Sequence, residues 1–149
     1  MVRKANIDDI KDIHELINHF AGTNKMLARA LSELYETTRD FLVYEHKGNV
    51  CGCCALHLDW ENLAEIKSLA VWESSQNKGI GARLLKASLK EAKKLAIKRV
   101  FALTYEADFF RKYGFREVNK SELPHKIWSD CLKCPKFPNC DETALVLDL

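Results

Sequence analysis

Glu65-Ile-Lys-Ser-Leu-Ala-Val-Trp-Glu-Ser-Ser-Gln-Asn-Lys-Gly-Ile-Gly-Ala-Arg-Leu-Leu-Lys86 reads as an apolar strand, a polar loop ending in Gly79-Ile80-Gly81, and the start of a long helix. Such a strand, glycine turn and helix N-terminus form a site for anionic phosphate groups. The N–H groups of a first helical turn have no partners within the helix, and the helix dipole favours negative charge there. Three loop types share this outline. A P-loop places Lys after its second glycine, followed by Ser or Thr; here Lys78 precedes Gly79, which excludes it. A dinucleotide fingerprint needs a third glycine early in the chain; here Leu84 stands in that place and the loop is mid-chain. The third type is Gln-x-x-Gly-x-Gly, met at Gln76, Gly79 and Gly81. Its glycines would let backbone N–H groups approach a phosphate group without Cβ clashes.

Working outward, Val2–Ala5 is a predicted strand, and Asn6 an N-cap with Asp8 and Asp9 in the first turn. Ile7, Ile10, Ile13, Ile17 and Phe20 recur at helical spacing, and Gly22 closes that helix. A second helix is predicted from Ala28 to Arg39, with Leu27, Leu31, Leu34 and Tyr35 on one face. Phe41–His46 and Val50–Asp59 are strands joined by Lys47-Gly48-Asn49, and Leu63–Val71 follows. A third helix runs from Gly79 to Leu95, burying Ile80, Leu84, Leu85, Leu89 and Ala92. Arg83, Lys86, Lys90, Lys93 and Lys94 form its wet face. Arg99–Leu103 is a strand, Asp108–Tyr113 a short helix closed by Gly114, and Phe115–Val118 and Thr143–Asp148 are strands. Ser121–Asp130 reads as irregular or briefly helical. This order predicts a mixed α/β (α+β) sheet, antiparallel in the middle, with one parallel crossover through the third helix.

The 149 residues predict a single domain, residues 1–149, large enough for a sizeable core. With 23 basic and 21 acidic side chains, the charge is too even for a protein that neutralises nucleic-acid phosphates. No apolar run approaches the ~20 residues of a membrane span, and the N-terminus lacks a signal-peptide core. A soluble, cytoplasmic protein with no nucleic-acid or membrane partner is therefore expected.

The Gln76–Gly81 loop, the Ser68-Leu69-Ala70-Val71 strand before it, and the later Ala107…Phe110…Tyr113-Gly114-Phe115 resemble the GNAT acetyltransferase superfamily. The resemblance covers nearly the whole chain. It implies a central mixed sheet flanked by helices, with acetyl-CoA as co-substrate. In that superfamily the central strand splays from its neighbour and the pantetheine arm lies in the gap. The implied cofactor residues are Leu69, Ala70 and Val71 by their backbone, then Gln76, Asn77, Lys78, Gly79, Ile80, Gly81, Ala82 and Phe110. A backbone N–H in the strand would polarise the thioester carbonyl.

A narrower likeness lies in Met26-Leu-Ala-Arg29, Phe41-Leu-Val-Tyr-Glu45, Gly52-Cys-Cys-Ala-Leu56, Leu63–Val71 and Phe101-Ala-Leu-Thr104. These resemble the acetyltransferase domain of N-acetylglutamate synthases, in a short form without the kinase-like domain. The likeness implies acetyl transfer to the α-amine of L-glutamate, in arginine synthesis. An α-ammonium needs a general base before it can attack, and Glu65 stands where that family has a glutamate. Arg29 matches the arginine that forks onto the substrate carboxylate. Lys67 and Ser68 are further substrate-side candidates, one expected on each face of the strand. The tyrosine that many GNAT enzymes use as acid is Phe110 here, so Thr104 and Tyr105 are the acid candidates. Lys133 or Lys136 would stand in for a second substrate arginine. The resemblance also allows a homodimer. Another small amine, a peptide N-terminus, or a non-catalytic acyl-CoA-binding module are the alternatives.

The cysteines fall in two groups. Cys131, Cys134 and Cys140, with His125, lie in a Cys/Pro-rich segment, 124–140, and have the donor types of a structural zinc site. Cys51, Cys53 and Cys54 lie on a strand, where alternation sends Cys51 and Cys53 to one face and Cys54 to the other. Core packing is expected for them. His14, His19, His46 and His57 show no ligand spacing and read as ordinary residues.

Overall fold

The computed structural model describes residues 1–123 and 141–149. β1 (Val2–Lys4) leads to Asn6, whose side chain and that of Asp9 cap each other's backbone N–H groups in a reciprocal box. A 3-10 turn, Ile7–Asp9, then enters α1 (Ile10–Ala21). Ile10, Ile13, Ile17 and Phe20 are buried as expected, joined by Leu16. Ile7 is 59% exposed, because it lies in the 3-10 turn, off the α-helical register. Gly22 follows α1 with an ordinary helical φ of −63°; the left-handed residue is Asn24, at φ 59°.

α2 covers only Leu31–Glu36, shorter than the predicted Ala28–Arg39. Ala30 is extended (ψ 145°), so Arg29 precedes the helix instead of riding on it. A 3-10 turn, Thr38–Asp40, delivers the chain into β2 (Phe41–His46). Lys47 and Gly48, at φ 51° and 79°, form the two-residue turn into β3 (Asn49–Trp60), and both positive angles match the type I′ hairpin. β4 (Leu63–Val71), α3 (Ile80–Lys94), β5 (Arg99–Thr104), α4 (Ala107–Arg111), β6 (Arg116–Val118) and β7 (Thr143–Asp148) complete the described fold.

The seven strands form one sheet in the order β1-β2-β3-β4-β5-β7-β6. β1 to β4 pair antiparallel, β4 and β5 pair parallel across α3, and β7 is antiparallel to both β5 and β6. This is the mixed α/β sheet that the element order predicts. α3 packs on one face through Ile80, Leu84, Leu85 and Ala92, with Ser88 also buried there and Leu89 only half-buried. α1 and α2 cover the other face through Ile13, Ile17 and Leu34, against Phe41, Val43 and Ala55.

The β2–β3 and β3–β4 registers shift at three places, one of them at the Leu58–Trp60 end of β3; the other two bear on the site. Between Tyr44↔Gly52 and Glu45↔Val50 the β2–β3 register gains Cys51 as an extra residue. Alternation therefore fails at Cys51: it packs beside Cys54 on the α3 side, while Cys53 faces α1. In β4, Ser68 is left-handed (φ 54°), and the β3–β4 register shifts between Cys53↔Ala70 and Ala55↔Lys67. The β4–β5 pairing covers only Leu63↔Arg99, Ala64↔Val100 and Glu65↔Phe101. Among the described residues, no strand pairs with β4 on that edge beyond Glu65.

Candidate active site

Glu65 sits at the apex where β4 and β5 part. Its side chain is among the few charged groups in the interior, with the residue 3% exposed. Lys67, two residues on, shares its face and brings Nζ to 3.9 Å from Glu65 Oε1. Past the bulge, Leu69 and Val71 turn their side chains toward the α3 core and Ala70 toward the α1 core. Their backbone edge opens into the gap. On the far side of the gap β5 ends in Thr104, followed by Tyr105. The Thr104 hydroxyl accepts from the Glu106 N–H (2.8 Å), which leaves its own proton for donation. Tyr105 donates its phenolic O–H to Asp141 at 2.6 Å.

The loop after β4 closes on itself. The Gln76 side-chain amide donates to the Val71 carbonyl (2.9 Å), so this side chain ties loop to strand. Asn77 and Gly79 are both left-handed, at φ 63° and 79°, and Lys78 between them is exposed. No side chain caps α3 at Gly79, and its first turn carries no acid. The N–H groups that open this helix therefore point at an uncapped, electropositive end. Ile80 is anchored in the core, and Ala82 is half-buried. A Cβ built on Gly81 would lie 3.6 Å from the Phe109 ring, an ordinary contact. The fold alone thus has room for a side chain at 81, and glycine leaves space for a group approaching from outside. Phe110 is a core residue, packed edge-to-face on Phe109 and Phe115. The half-buried ring beside the loop is Phe109, which the motif reading passed over because Phe110 holds the family position.

On the α1/α2 side of the sheet the acceptor candidates converge. Arg29 is 8% exposed and its guanidinium lies over the Phe41 ring, 5.4 Å from the centroid. Nε and Nη2 donate to one oxygen of Glu33 (3.0 and 2.8 Å), and Nη1 donates to Ser68 Oγ (3.2 Å). The Asn18 amide holds the Arg29 carbonyl at 3.3 Å. The left-handed Ser68 explains this meeting. Regular alternation would put Lys67 and Ser68 on opposite faces, as the sequence leads one to expect; the bulge instead brings Ser68 Oγ to Arg29 on the face that carries Glu65 and Lys67.

His57, read from the sequence as an ordinary residue, has charged neighbours on this face. It lies directly opposite Glu65 in the β3–β4 ladder, and its Nδ1 is 2.7 Å from Asp40 Oδ2. That hydrogen bond raises the His57 pKa above the ordinary histidine value against the opposing effect of burial. No sequence spacing betrays it, because Asp40 lies 17 residues away across the β2–β3 hairpin.

Burial pushes the Cys53 thiol far up and that of Cys54 to about 12, so neither supplies a thiolate near neutrality. Cys53 donates to the Ser68 carbonyl (3.3 Å), and Ser88 donates to Cys54 (3.3 Å), as core packing predicts. Among the described residues no three His, Cys, Asp or Glu side chains form a metal-binding group. The expected zinc ligands His125, Cys131, Cys134 and Cys140, with Lys133 and Lys136, lie outside the described residues.

A sheet that splays at a buried carboxylate, above a glycine loop at a helix N-terminus, is the architecture of acyl-CoA-dependent N-acyltransferases. Residues 37–117 match the Acetyltransferase (GNAT) domain family. The chain is 41% identical over 148 residues to an uncharacterised N-acetyltransferase of Chlorobaculum tepidum, covering 99% of this chain and 96% of that one. It is 35% identical over 133 residues to the amino-acid acetyltransferase of Mycobacterium tuberculosis, covering 87% and 76%. Among solved structures it resembles a Mycobacterium tuberculosis protein in complex with CoA and NLQ, with a TM-score of 0.87 and 31% identity over 100% of this chain and 99% of that one. The N-acetylglutamate synthase of Neisseria gonorrhoeae, complexed with CoA and N-acetyl-glutamate, superposes with a TM-score of 0.90 and 30% identity; the chain is covered fully and spans 35% of that longer protein. The chain belongs to the GNAT family of N-acetyltransferases, enzymes that use acetyl-CoA.

Proposed function

We propose that this enzyme transfers acetyl from acetyl-CoA to the α-amine of L-glutamate, as a cytoplasmic N-acetylglutamate synthase serving arginine synthesis. One observation carries the reading: a buried arginine fork, Arg29, meets Ser68 on the strand whose buried Glu65 marks the mouth of the gap. In this reading the pyrophosphate of acetyl-CoA lies on the N–H groups of Gly79, Ile80, Gly81 and Ala82, with Lys78 and Asn77 beside it. The pantetheine arm pairs with the open edge of Leu69–Val71, and a backbone N–H there polarises the thioester carbonyl. Arg29 and Ser68 hold the α-carboxylate, and Glu33 swings away from the fork. Glu65 takes a proton from the ammonium, the free amine attacks the carbonyl carbon, and the C–S bond breaks as the tetrahedral species collapses. Thr104, or Tyr105, returns a proton to the leaving thiolate.

The relatives named amino-acid acetyltransferase and the synthase complexed with N-acetyl-glutamate support the acceptor assignment. The test is release of CoA thiol from acetyl-CoA, screened over the common amino acids, a polyamine and a peptide N-terminus. Turnover dependent on glutamate supports the reading; turnover on a polyamine or peptide alone refutes it. Glu65→Gln is expected to lower kcat about a hundredfold or more, with the Kd for CoA within about twofold of the parent. Near-normal turnover at neutral pH removes Glu65 as the base.

A further inference from the structure

We propose that His57, oriented by Asp40 and flanked by Lys67, reads the side-chain carboxylate of the acceptor, so that the site selects a dicarboxylic amino acid over its neutral amide. This rests on the reading of the acceptor as an amino acid. His57 and Glu65 are direct cross-strand partners, and such side chains stand on one face about 5 Å apart at Cβ. Nδ1 is committed to Asp40 at 2.7 Å, which fixes the ring and leaves Nε2 as its other polar end. The His57 side chain is 36% exposed, and therefore open to a ligand, beside a Glu65 side chain that is 5% exposed.

The placement divides the acceptor into three parts. An amine held at Glu65 has Ser68 further along β4, with the Arg29 guanidinium reaching it from the segment before α2; in this reading the α-carboxylate is bound there. The rest of the amino acid then extends across the strand pair to His57 on β3, with Lys67, opposite Ala55, alongside. The charged groups facing His57 are Asp40 from the 3-10 turn before β2, and Glu65 and Lys67 from β4. Asp40 and Glu65 favour the imidazolium and Lys67 opposes it, with the Asp40 hydrogen bond the largest influence. An imidazolium so held donates Nε2–H to a carboxylate in a charge-assisted bond; a carboxamide meets the same donor with a weaker one.

The test compares kcat/KM for L-glutamate and L-glutamine from about pH 6 to about pH 9, a range that spans the titration of histidine. The glutamate preference of the parent enzyme is expected to fall about tenfold as pH rises through the raised His57 pKa, carried by KM for glutamate. Asp40→Asn should move that fall to lower pH. His57→Gln should give the reduced preference at every pH, with a melting temperature and CoA affinity that report an intact fold. A preference flat with pH in the parent enzyme, or an equal loss of both activities in His57→Gln, overturns the assignment while the amino-acid acceptor stands. Turnover on neither amino acid overturns both.

Discussion

At the scale of single residues, the acceptor side depends on how each cation is held. Arg29 gives three of its donors to Glu33 and Ser68 while lying on the Phe41 ring, a geometry that only a planar guanidinium provides. Arg29→Lys keeps the charge but loses the fork. It is expected to raise KM for the amino acid about tenfold or more with kcat changed much less, read from initial rates at saturating acetyl-CoA. An unchanged KM removes the carboxylate role. Glu65 and Arg29 are candidates that the family resemblance supplies, and both are buried. His57 is not such a candidate. Its significance comes from Asp40 and Glu65, which only the β2–β3 and β3–β4 pairings bring to it.

At the scale of elements, the β4 bulge and the loop into α3 organise the gap, and two glycines test them separately. A Cβ at Gly52 would lie 3.1 Å from the Ala70 carbonyl oxygen, 3.1 Å from Leu84 Cδ1 and 3.2 Å from Val71 Cγ2. Gly52→Ala must therefore push β4 and α3 by a few tenths of an ångström. We expect a loss of about 1–3 kcal/mol in urea unfolding, with weaker CoA binding as Ala70 and Val71 shift. Gly81→Ala meets only the Phe109 ring at ordinary contact distance, and alanine is the better helix former. Its unfolding free energy should stay within about 0.5–1 kcal/mol of the parent or rise, while Kd for CoA rises about tenfold. Parent-like CoA affinity in Gly81→Ala would remove the close approach of the pyrophosphate to this turn. Helix and strand positions were legible from periodicity, down to Leu63–Val71 and Thr143–Asp148. The length of α2 and the bulges at Cys51 and Ser68 were not, because each depends on partners far along the chain.

For the whole molecule, the N-terminal edge is tied together by charge. Arg3 on β1 donates to both oxygens of Asp9 (2.8 and 2.9 Å) and to Glu45 of β2 (3.2 Å), joining strand, helix start and sheet. The Arg3 hydrogen bonds hold the Asp9 carboxyl below its ordinary value. The stability this contributes is present above about pH 3.9, the ordinary aspartate value, and is lost as pH falls through the lower folded value. His57 has the opposite sign. Its pKa is raised by Asp40, so its contribution is complete below about 6.5, the ordinary histidine value, and is lost as pH rises through the folded value. Thermal melts across pH should therefore show greatest stability between acid and mildly alkaline conditions. Arg3→Met, which leaves the Asp9 carboxylate largely buried without its fork, should cost about 1–3 kcal/mol at neutral pH. Its acid limb should flatten; an unchanged limb would assign acid sensitivity to other carboxylates.

The sequence by itself determined the local matters. The glycine loop, the strand before it, the helix after it, and the mixed parallel and antiparallel character of the sheet are readable from local pattern and element order. Glycine conformational freedom, helix ends that lack backbone partners, and hydrophobic period act within a few residues and can be read there. Tertiary structure decided what depends on register. It parted β4 from β5 at Glu65, turned Ser68 onto the face of Arg29, sent Cys51 to the side of Cys54, and set His57 between Asp40 and Glu65. The physical reason is the two-residue period of a strand: one extra residue in a ladder moves every later side chain to the other face, and that insertion is placed by partner strands and core packing.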